Sequence, residues 1–440
     1  MPTPAEENAF LEPILARYAD DGPRLVYADF LDESDEPADR ARGELIRVQC
    51  ALARLSDDHP RRVELTHREG ELLQAHQAAW TEHLRGLADG FEFRRGILDG
   101  VSVAAAMFLT RGDELFRRAP VRRVRLLDAT RHVARLAFCP FLASVRELDM
   151  CGNDLGNGGV NVLLRSPYLS QLRDLDLSFN GVCDGGAQLL ARSDAMPRLR
   201  ALALSDNGRI GDTGLSLLAD SPRLAGLKAL DVSGNAVGDS GLRAVTRSRF
   251  MTRLHTLRIH GNSVGDAGAV ELAGSALVAR MLARCPRLDL RHNSVGPAGA
   301  LALATSPHLG RAVGLDLTGN VLGDAGVFAL ARSERLTGLR RLGLRQNHIG
   351  DAGAAVLAAS GLMARLAFLD VSANRLTQKG VDALWANRGS YRTILDTAGN
   401  FVSDSELWDT ATQDGTPPPH DLHDEVGRVL RRLMPSATHP

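Results

Sequence analysis

Asparagine recurs along most of this 440-residue chain at nearly constant spacing, and this repeat constrains the fold more than any other feature. The residues are Asn153, Asn180, Asn207, Asn235, Asn262, Asn293, Asn320, Asn347 and Asn374, with a degenerate copy at Asn400. The steps between them are 27, 27, 28, 27, 31, 27, 27, 27 and 26 residues. A fixed period of this length indicates a stacked array of similar units rather than one compact core.

Each repeat has two halves. The first reads L-x-x-L-x-L-x-x-N, as in Leu339, Leu342, Leu344 and Asn347, and its alternation predicts a short strand. We expect the asparagine to satisfy backbone groups of the turn and of the adjoining coil. The second half, as at 264–272, reads aliphatic-Gly-Asp-x-Gly-aliphatic-x-x-Leu, which predicts a helix with the aspartate as its N-cap. One such unit cannot bury its apolar face alone, so neighbouring units must share a core.

This motif resembles the leucine-rich repeat of the ribonuclease-inhibitor-like, long-repeat kind, over about residues 121–400. The resemblance implies an α/β horseshoe-shaped solenoid with a parallel sheet on the concave side and helices outside. Three departures affect local coil shape. They are one extra residue around Gly208, four extra residues between Asn262 and Asn293, and Pro297 in the place of the aspartate.

The N-terminal region is a separate unit. Residues 23–33 and 43–52 are similar to the bacterial repeat-companion domain, with Phe30 where tryptophan is usual. That resemblance implies little about activity. The predicted organisation is a helical module at 1–60, a connecting helix at 61–90, a capping coil at 91–128, the solenoid at 129–402, and a linker with a short helix at 403–440.

The two ends of the array are expected to differ from its middle. In the capping coil, Val121, Val124 and Leu126 take the strand positions and Ala129 replaces the asparagine. A degraded first coil suits a position next to another module. After residue 416, apolar spacing over 422–433 predicts a short amphipathic helix, which either caps the last coil or forms a mobile tail.

Charge and cysteine content exclude several classes of protein. The net charge is −1, but residues 1–60 carry 14 acidic and 6 basic side chains, so the remainder is at +7. Neither a nucleic-acid nor a membrane partner is indicated by this balance. The five cysteines are scattered, which predicts reduced thiols in a cytoplasmic protein. The start of the chain is acidic where a signal peptide is basic, and no apolar run reaches membrane-spanning length.

Sequence patterns suggestive of other chemistry have plainer interpretations. The 261–265 segment matches G-x-S-x-G, but it is the repeat's own turn, so we predict no catalytic centre. We also predict no cofactor and no metal, since the histidines lack ligand spacing. The arginines of 117–125 lack stacking aromatics, which argues against nucleic-acid binding and favours a charged capping strand.

The candidate binding residues lie two, four and six positions before each asparagine, where side chains project from the strands. Early coils are acidic at Glu147, Asp149, Asp174 and Asp176. Later coils are basic at Arg258, His260, Arg287, Arg291, Arg341 and Arg345. Part of the acidic row is expected to be repeat consensus, and solvated charge without a partner is the plain alternative. If the surface binds, the basic half predicts an acidic segment of an unknown protein partner.

Two classes of function follow from the resemblance. The first is an intracellular, non-catalytic protein-binding scaffold that uses the concave face. The alternative is an accessory protein resembling the GTPase-activating proteins built on the same long repeat. The sequence marks no arginine or positioning residue for the second class.

Overall fold

The computed structural model describes residues 4–55, 59–387 and 394–400. Within them the chain forms two compact units. The first comprises residues up to 153 together with 165–176, and the second comprises 154–164 and the described residues from 177 onward. The border between the units therefore falls inside the predicted repeat array. The linker and short helix predicted at 403–440 lie outside the described residues.

Helices open the first unit: α1 (Pro4–Ala16), α2 (Gly22–Asp32), α3 (Pro37–Arg54) and α4 (Arg61–Thr81). Prolines stand in the first turns of α2 and α3, where a missing N–H costs nothing. Ile14, Tyr27 and Ile46 belong to the apolar cluster that these helices bury. A Cβ at Gly43 would lie 2.9 Å from the carbonyl oxygen of Ala28, so glycine permits the close approach of α3 to α2.

A small mixed sheet completes the first unit. Its strands are β1 (Gly90–Arg94), β2 (Ile97–Ala104), β3 (Arg123–Leu127), β4 (Glu147–Asp149) and β5 (Asp174–Asp176), with α5 (Ala105–Arg118) and α6 (Val133–Ala137) in the connections. β1 and β2 form an antiparallel hairpin, and β2 to β5 pair in parallel. Val124 and Leu126 are buried in β3, whereas Val121 precedes that strand.

The sequence analysis did not predict the β1–β2 hairpin. Its turn residues, Arg95 and Gly96, both have positive φ, at 51° and 77°. Arg-Gly is not one of the dipeptides that usually mark such a turn, so the local signal was weak. Packing explains the glycine, because a Cβ at Gly96 would lie 2.6 Å from the Cα of Ile46.

The second unit is built from stacked strand–helix coils. Its strands are β6 (Ala201–Ala203), β7 (Ala229–Asp231), β8 (Thr256–Arg258), β9 (Arg287–Asp289), β10 (Gly314–Asp316), β11 (Arg341–Gly343), β12 (Phe368–Asp370) and β13 (Ile394–Asp396). Its helices are α7 (Gly156–Leu163), α8 (Asp184–Arg192), α9 (Asp212–Ala219), α10 (Asp239–Thr246), α11 (Asp266–Ala273), α12 (Ala276–Arg284), α13 (Pro297–Thr305), α14 (Gly323–Ala331), α15 (Asp351–Ala358) and α16 (Gln378–Ala386). The strands pair in parallel within β6–β8 and within β9–β13.

The core of this unit runs along the strand centres. The middle residue of each strand is a leucine that lies beside its equivalent in the next coil, as Leu315 lies beside Leu342 and Leu342 beside Leu369. These three leucines are at most 1% exposed. Each coil therefore completes the apolar surface that its neighbour leaves open, which is the source of stability in a repeat array.

The four-residue insertion before Asn293 forms a helix of its own. α12 occupies the place where neighbouring coils have a short 3₁₀ turn, and the Ser275 hydroxyl caps it by accepting from the Val278 N–H at 3.4 Å. The insertion also coincides with the interruption of the sheet between β8 and β9. The extra residues are absorbed outside the repeat consensus, which resumes at Leu288.

The aspartates that follow glycine do not cap their own helices, so the predicted N-cap role is wrong. Asp239 is the first residue of α10 and makes no capping bond there. Its Oδ1 instead accepts from the N–H groups of Gly265 and Gly268 in the next coil, at 2.7 and 2.8 Å. The same bond to the following coil is made by Asp184, Asp212, Asp266 and Asp324. Each carboxylate thus caps the neighbouring helix and joins two coils.

This contact explains why the Gly-Asp-x-Gly motif has a second glycine. A Cβ at Gly268 would lie 2.6 Å from the Asp239 Oδ1. Where the coil before has no aspartate, the helix begins differently. Pro297 offers no carboxylate to α14, and there Gly323 adopts a φ of 54° and donates its N–H to the Asn347 carbonyl at 2.9 Å. A left-handed glycine replaces the missing carboxylate bond.

Candidate protein-binding surface

The asparagine after each strand is directed into the protein. Asn320 is 2% exposed, and its Nδ2 donates to the carbonyls of Leu290 and Leu317, each at 2.9 Å. Its Oδ1 accepts from the Val295 N–H at 2.9 Å. Side-chain bonds to backbone groups are likewise made by Asn153, Asn180, Asn207, Asn235, Asn262, Asn293, Asn347 and Asn374. These amides hold coils together and are not presented to a partner.

The residue before the asparagine has a left-handed backbone. Glycine fills this position in several coils, but Phe179, His292, Gln346 and Ala373 adopt φ values of 55°, 50°, 54° and 52°. Such residues carry a conformational cost that glycine avoids. The first three nevertheless place exposed side chains at the turns, which sequence reasoning did not single out.

The aspartate row, four positions before the asparagines, belongs to the scaffold. In Asp231, Asp316 and Asp370, Oδ1 accepts from the N–H two residues further on, at 2.9–3.0 Å. Asp149 and Asp289 make the same bond. The expectation that part of this row is repeat consensus has a physical reason, because the carboxylate closes the turn after the strand.

The acidic sheet residues of the first unit are largely balanced within it. Glu147 receives two hydrogen bonds from Arg94, at 2.8 and 3.2 Å, and one from the Arg123 Nε at 2.8 Å. Arg123 is 4% exposed and also donates to Glu92. Asp149 and Asp176 are 5% and 7% exposed, whereas Asp174 is half-buried. This side of the sheet is therefore less acidic than its sequence indicates.

Sequence reasoning missed Arg94 and Glu92 of this network. Arg94 and Glu92 alternate with phenylalanines in β1, a pattern that indicates one polar and one apolar face. That alternation was the signal that could have identified them. Their ion pairs with Arg123 and Glu147 depend on the antiparallel hairpin, which was not predicted.

One group in the first unit has the composition of a metal site. Potential ligand atoms of Asp149, Cys151 and Asp176 all lie within 4.8 Å of one another. The Nε of Arg125 lies 3.7 Å from the Asp149 Oδ2. A cation of the protein already stands beside this group, so the geometry does not call for a bound ion.

The basic sheet residues of the second unit also have acidic neighbours. The Arg258 Nη1 lies 3.2 Å from the Asp231 Oδ2, and the His260 Nδ1 lies 3.8 Å from the Asp289 Oδ2. Burial alone would raise the pKa of Asp289, but bonds and charge from Arg291, with His260, hold it below its usual range.

Arg291 does not have the exposure that the sequence analysis expected of it. Its side chain is 7% exposed, with Nη2 2.8 Å from Asp289 and Nε 3.5 Å from Asp316. The expectation that this guanidinium projects toward a partner is wrong, because it donates to Asp289, two residues earlier in the chain. Spacing alone could not show that two half-buried carboxylates, Asp289 and Asp316, attract this guanidinium.

Three candidate arginines lie on the side of the strands that the helices do not cover, which we call the open side. They are Arg287, Arg341 and Arg345. Arg345 is exposed and donates to the Ser372 hydroxyl at 3.2 Å. The Arg341 guanidinium lies 5.0 Å from the centre of the Phe368 ring. Arg287 is half-buried, and its stem runs along β10, so that a Cβ at Gly314 would lie 3.0 Å from its Cγ. Of the three side chains, Arg345 is exposed, whereas Arg287 and Arg341 are half-buried and the Arg341 Nε is enclosed.

The serine of the G-x-S-x-G match occupies an ordinary repeat turn. The Ser263 N–H donates to the Val237 carbonyl at 2.8 Å, and α11 begins three residues later. The strand does not lead directly into a helix at this serine, as a nucleophile elbow requires. The segment has a structural explanation in the coil.

The parallel strands, outer helices and regular side-chain ladders of the second unit define an α/β repeat solenoid. A family model described as Leucine Rich repeat matches residues 169–191, 196–219, 227–245, 287–304, 315–331 and 337–358. The chain therefore carries leucine-rich repeats, and the predicted solenoid of this class with N-terminal helices is confirmed.

Among solved structures, the chain is similar to an internalin from Listeria monocytogenes. The two are 19% identical, the match covers 59% of this chain and 82% of the internalin chain, and the TM-score is 0.36. No curated protein matches the chain. In the part of the chain that the structure describes, no helix is both long and apolar enough to cross a membrane.

Proposed function

We propose that the protein is an intracellular, non-catalytic scaffold that binds a protein partner through the open side of its repeat strands. The repeats are of the ribonuclease-inhibitor-like kind, and the N-terminal helices form a repeat-companion-like module. The proposal rests on one observation, which is that different positions of the repeat have different uses. Leucines, asparagines and aspartates recur and are used between coils, whereas outward strand positions change in charge and size from coil to coil.

The candidate contact residues in the second unit are Arg258, His260, Arg287, Arg341 and Arg345. Arginine fits this role because its planar guanidinium can engage a carboxylate with two hydrogen bonds. A rigid sheet also holds these groups at little further ordering cost when a partner binds. An acidic protein segment is the ligand that this chemistry favours.

The test is capture of a partner from native lysate by the full chain. We expect R341E together with R345E to abolish capture, while R332E, an exposed arginine of the helical side, leaves it intact. Unfolding midpoints measured in parallel establish that both variants are folded. Equal capture by both variants would contradict the assignment of the surface.

The same preparation distinguishes the scaffold from a GTPase-activating accessory protein. The scaffold is expected to leave GTP hydrolysis by a panel of small GTPases unchanged. Stimulated hydrolysis that disappears on substitution of one arginine would replace the proposal by the catalytic alternative.

A further inference from the structure

Six exposed cations of the second unit lie along one edge of its sheet, where the strands begin. Arg200 and Lys228 directly precede β6 and β7, and Arg340 directly precedes β11. Arg253, Arg284 and Arg311 stand three residues before β8, β9 and β10. We call these six residues the basic rim. All six are exposed.

Backbone bonds make Arg200 and Lys228 direct neighbours and place the next rim residue, Arg253, two residues from this row. The Lys228 N–H donates to the Arg200 carbonyl at 2.7 Å, and the His255 N–H donates to the Lys228 carbonyl at 3.0 Å. The backbones of Arg200 and Lys228 are therefore about one strand spacing apart, roughly 4.8 Å. The pKa of His255 is lowered, first by burial and then by the positive charges of Arg284 and Lys228.

The rim differs from the sheet in how its charge is balanced. On the sheet, Arg258 and Arg291 face carboxylates of the same unit. Within the described residues, none of the six rim cations forms an ion pair. Asp194, an acidic residue close to Arg200 in sequence, is bound by Arg223 at 2.6 Å. Within the described residues, the positive charge of the rim is therefore not balanced by ion pairs.

We infer that the basic rim is a docking surface for an extended acidic segment of a protein partner. The inference rests on the proposed scaffold function and adds a second electrostatic contact, at the rim, to the one on the sheet. The rim covers two strand spacings within β6–β8 and two within β9–β11, roughly 10 Å each, so an extended segment needs at least roughly six residues to cover both parts. Carboxylates spaced along such a segment match guanidinium groups spaced along the rim.

The composition of the rim favours a protein over other polyanions. The segments 197–200, 225–228, 252–255, 283–286, 310–313 and 337–340 contain no phenylalanine, tyrosine or tryptophan. Single-stranded nucleic acid is generally bound with aromatic side chains on which bases stack. Large apolar side chains that enter a lipid interface are also absent from the exposed positions of these segments.

Fluorescence anisotropy with the full chain tests the inference. The probe is a fluorescein-labelled peptide of alternating glutamate and serine, twelve residues long. We expect the triple variant R253Q, R284Q and R311Q to bind it about tenfold more weakly, because exposed ion pairs contribute up to about 1 kcal/mol each. The affinity of wild type should also fall more steeply with salt than that of the variant.

The matched control is R192Q, R209Q and K379Q, which removes the same charge from exposed positions outside the rim. Control and wild type should bind alike. Equal weakening of both triple variants, or no binding of the peptide by wild type, overturns the inference. Tighter, rim-dependent binding of a twelve-residue oligothymidylate or of phosphatidylserine vesicles also overturns it.

The two proposals can fail separately. If the rim variant binds the peptide normally but R341E with R345E loses partner capture, the scaffold function stands and the rim is not its contact. If the rim variant loses the peptide while partner capture is unaffected by any variant, the rim inference stands for the peptide and the sheet assignment fails.

Discussion

A single amide side chain accounts for much of the regularity of the coils. Each ladder asparagine has one acceptor and two donor hydrogens, and the turn offers N–H and carbonyl groups that strand and helix leave unpaired. Asn320 satisfies groups in its own coil and in the coil before it. An isosteric leucine or an aspartate could not supply both donors and an acceptor.

Replacing the asparagine by alanine tests how much this amide contributes to the stability of the protein. We expect N320A to lower the free energy of unfolding by roughly 1–3 kcal/mol, because buried backbone groups lose their partners. N262A should cost less, since Asn262 is more exposed and water can replace part of its bonds. Denaturant midpoints provide the measurement. An unchanged midpoint for N320A would contradict the role given to the ladder.

Backbone conformation provides a second test at this scale. Gly152, before Asn153, has a φ of 71°, and no heavy atom lies within 4 Å of the place where its Cβ would stand. We expect G152A to destabilise the protein by about 1 kcal/mol through the left-handed conformation alone. The control, G158A, lies in α7 with equally open space and should stabilise by up to about 1 kcal/mol. Opposite signs in thermal unfolding are the expected result.

At the scale of elements, helices are capped across coils. The aspartate at the start of one helix accepts from the first turn of the next, and glycine at that second site makes room for the carboxylate. A capping bond that is local in most helices becomes here a link between repeats. The stability of one helix therefore depends on its neighbour, which supports cooperative unfolding of the stack.

Removing one such carboxylate should weaken two coils together. We expect D239A to cost about 1–2 kcal/mol, the usual range for loss of a helix cap. S240A, at the next residue and exposed, should change stability little. Hydrogen exchange locates the effect. Faster exchange at Gly265 and Gly268 is expected, whereas faster exchange confined to α10 would contradict the contact.

At the scale of the whole molecule, buried charge in the first unit gives stability a pH dependence. Asp99 is 3% exposed, and burial, partly offset by Arg94, raises its pKa to about 6. In the unfolded chain this carboxyl titrates near its ordinary value of 3.8. Between these values the folded state binds more protons, so the contribution of Asp99 to stability falls as pH rises from about 4 to 6.

The variant D99N removes that titration. Relative to wild type, it should gain roughly 2 kcal/mol of unfolding free energy between pH 4 and pH 7. Other carboxylates titrate in both proteins and cancel in the difference. Denaturant titrations at several pH values measure it. A difference that is flat with pH, or that falls as pH rises, would rule out a raised pKa for Asp99.

The sequence by itself determined the class of fold, the strand centres and the place of the asparagines. Those features can be predicted from short-range spacing, because a strand, a turn and a helix follow one another within 27 residues and recur in register. Leu315 and Asn320 could be assigned to core and turn from one coil. The repetition then made the assignment secure for the others.

Only the tertiary structure decided which charged side chains are available to a binding partner. Arg94 meets Glu147 across 53 residues, Arg258 meets Asp231 across 27, and Asp239 reaches Gly265 across 26. Partners so far apart in sequence are set by strand register and coil stacking, and no local pattern reports them. A surface predicted from residue type alone therefore overstated the sheet charge at Glu147 and Arg291. Six exposed cations that form no ion pair in the described part of the chain lie instead at the edge where the strands begin.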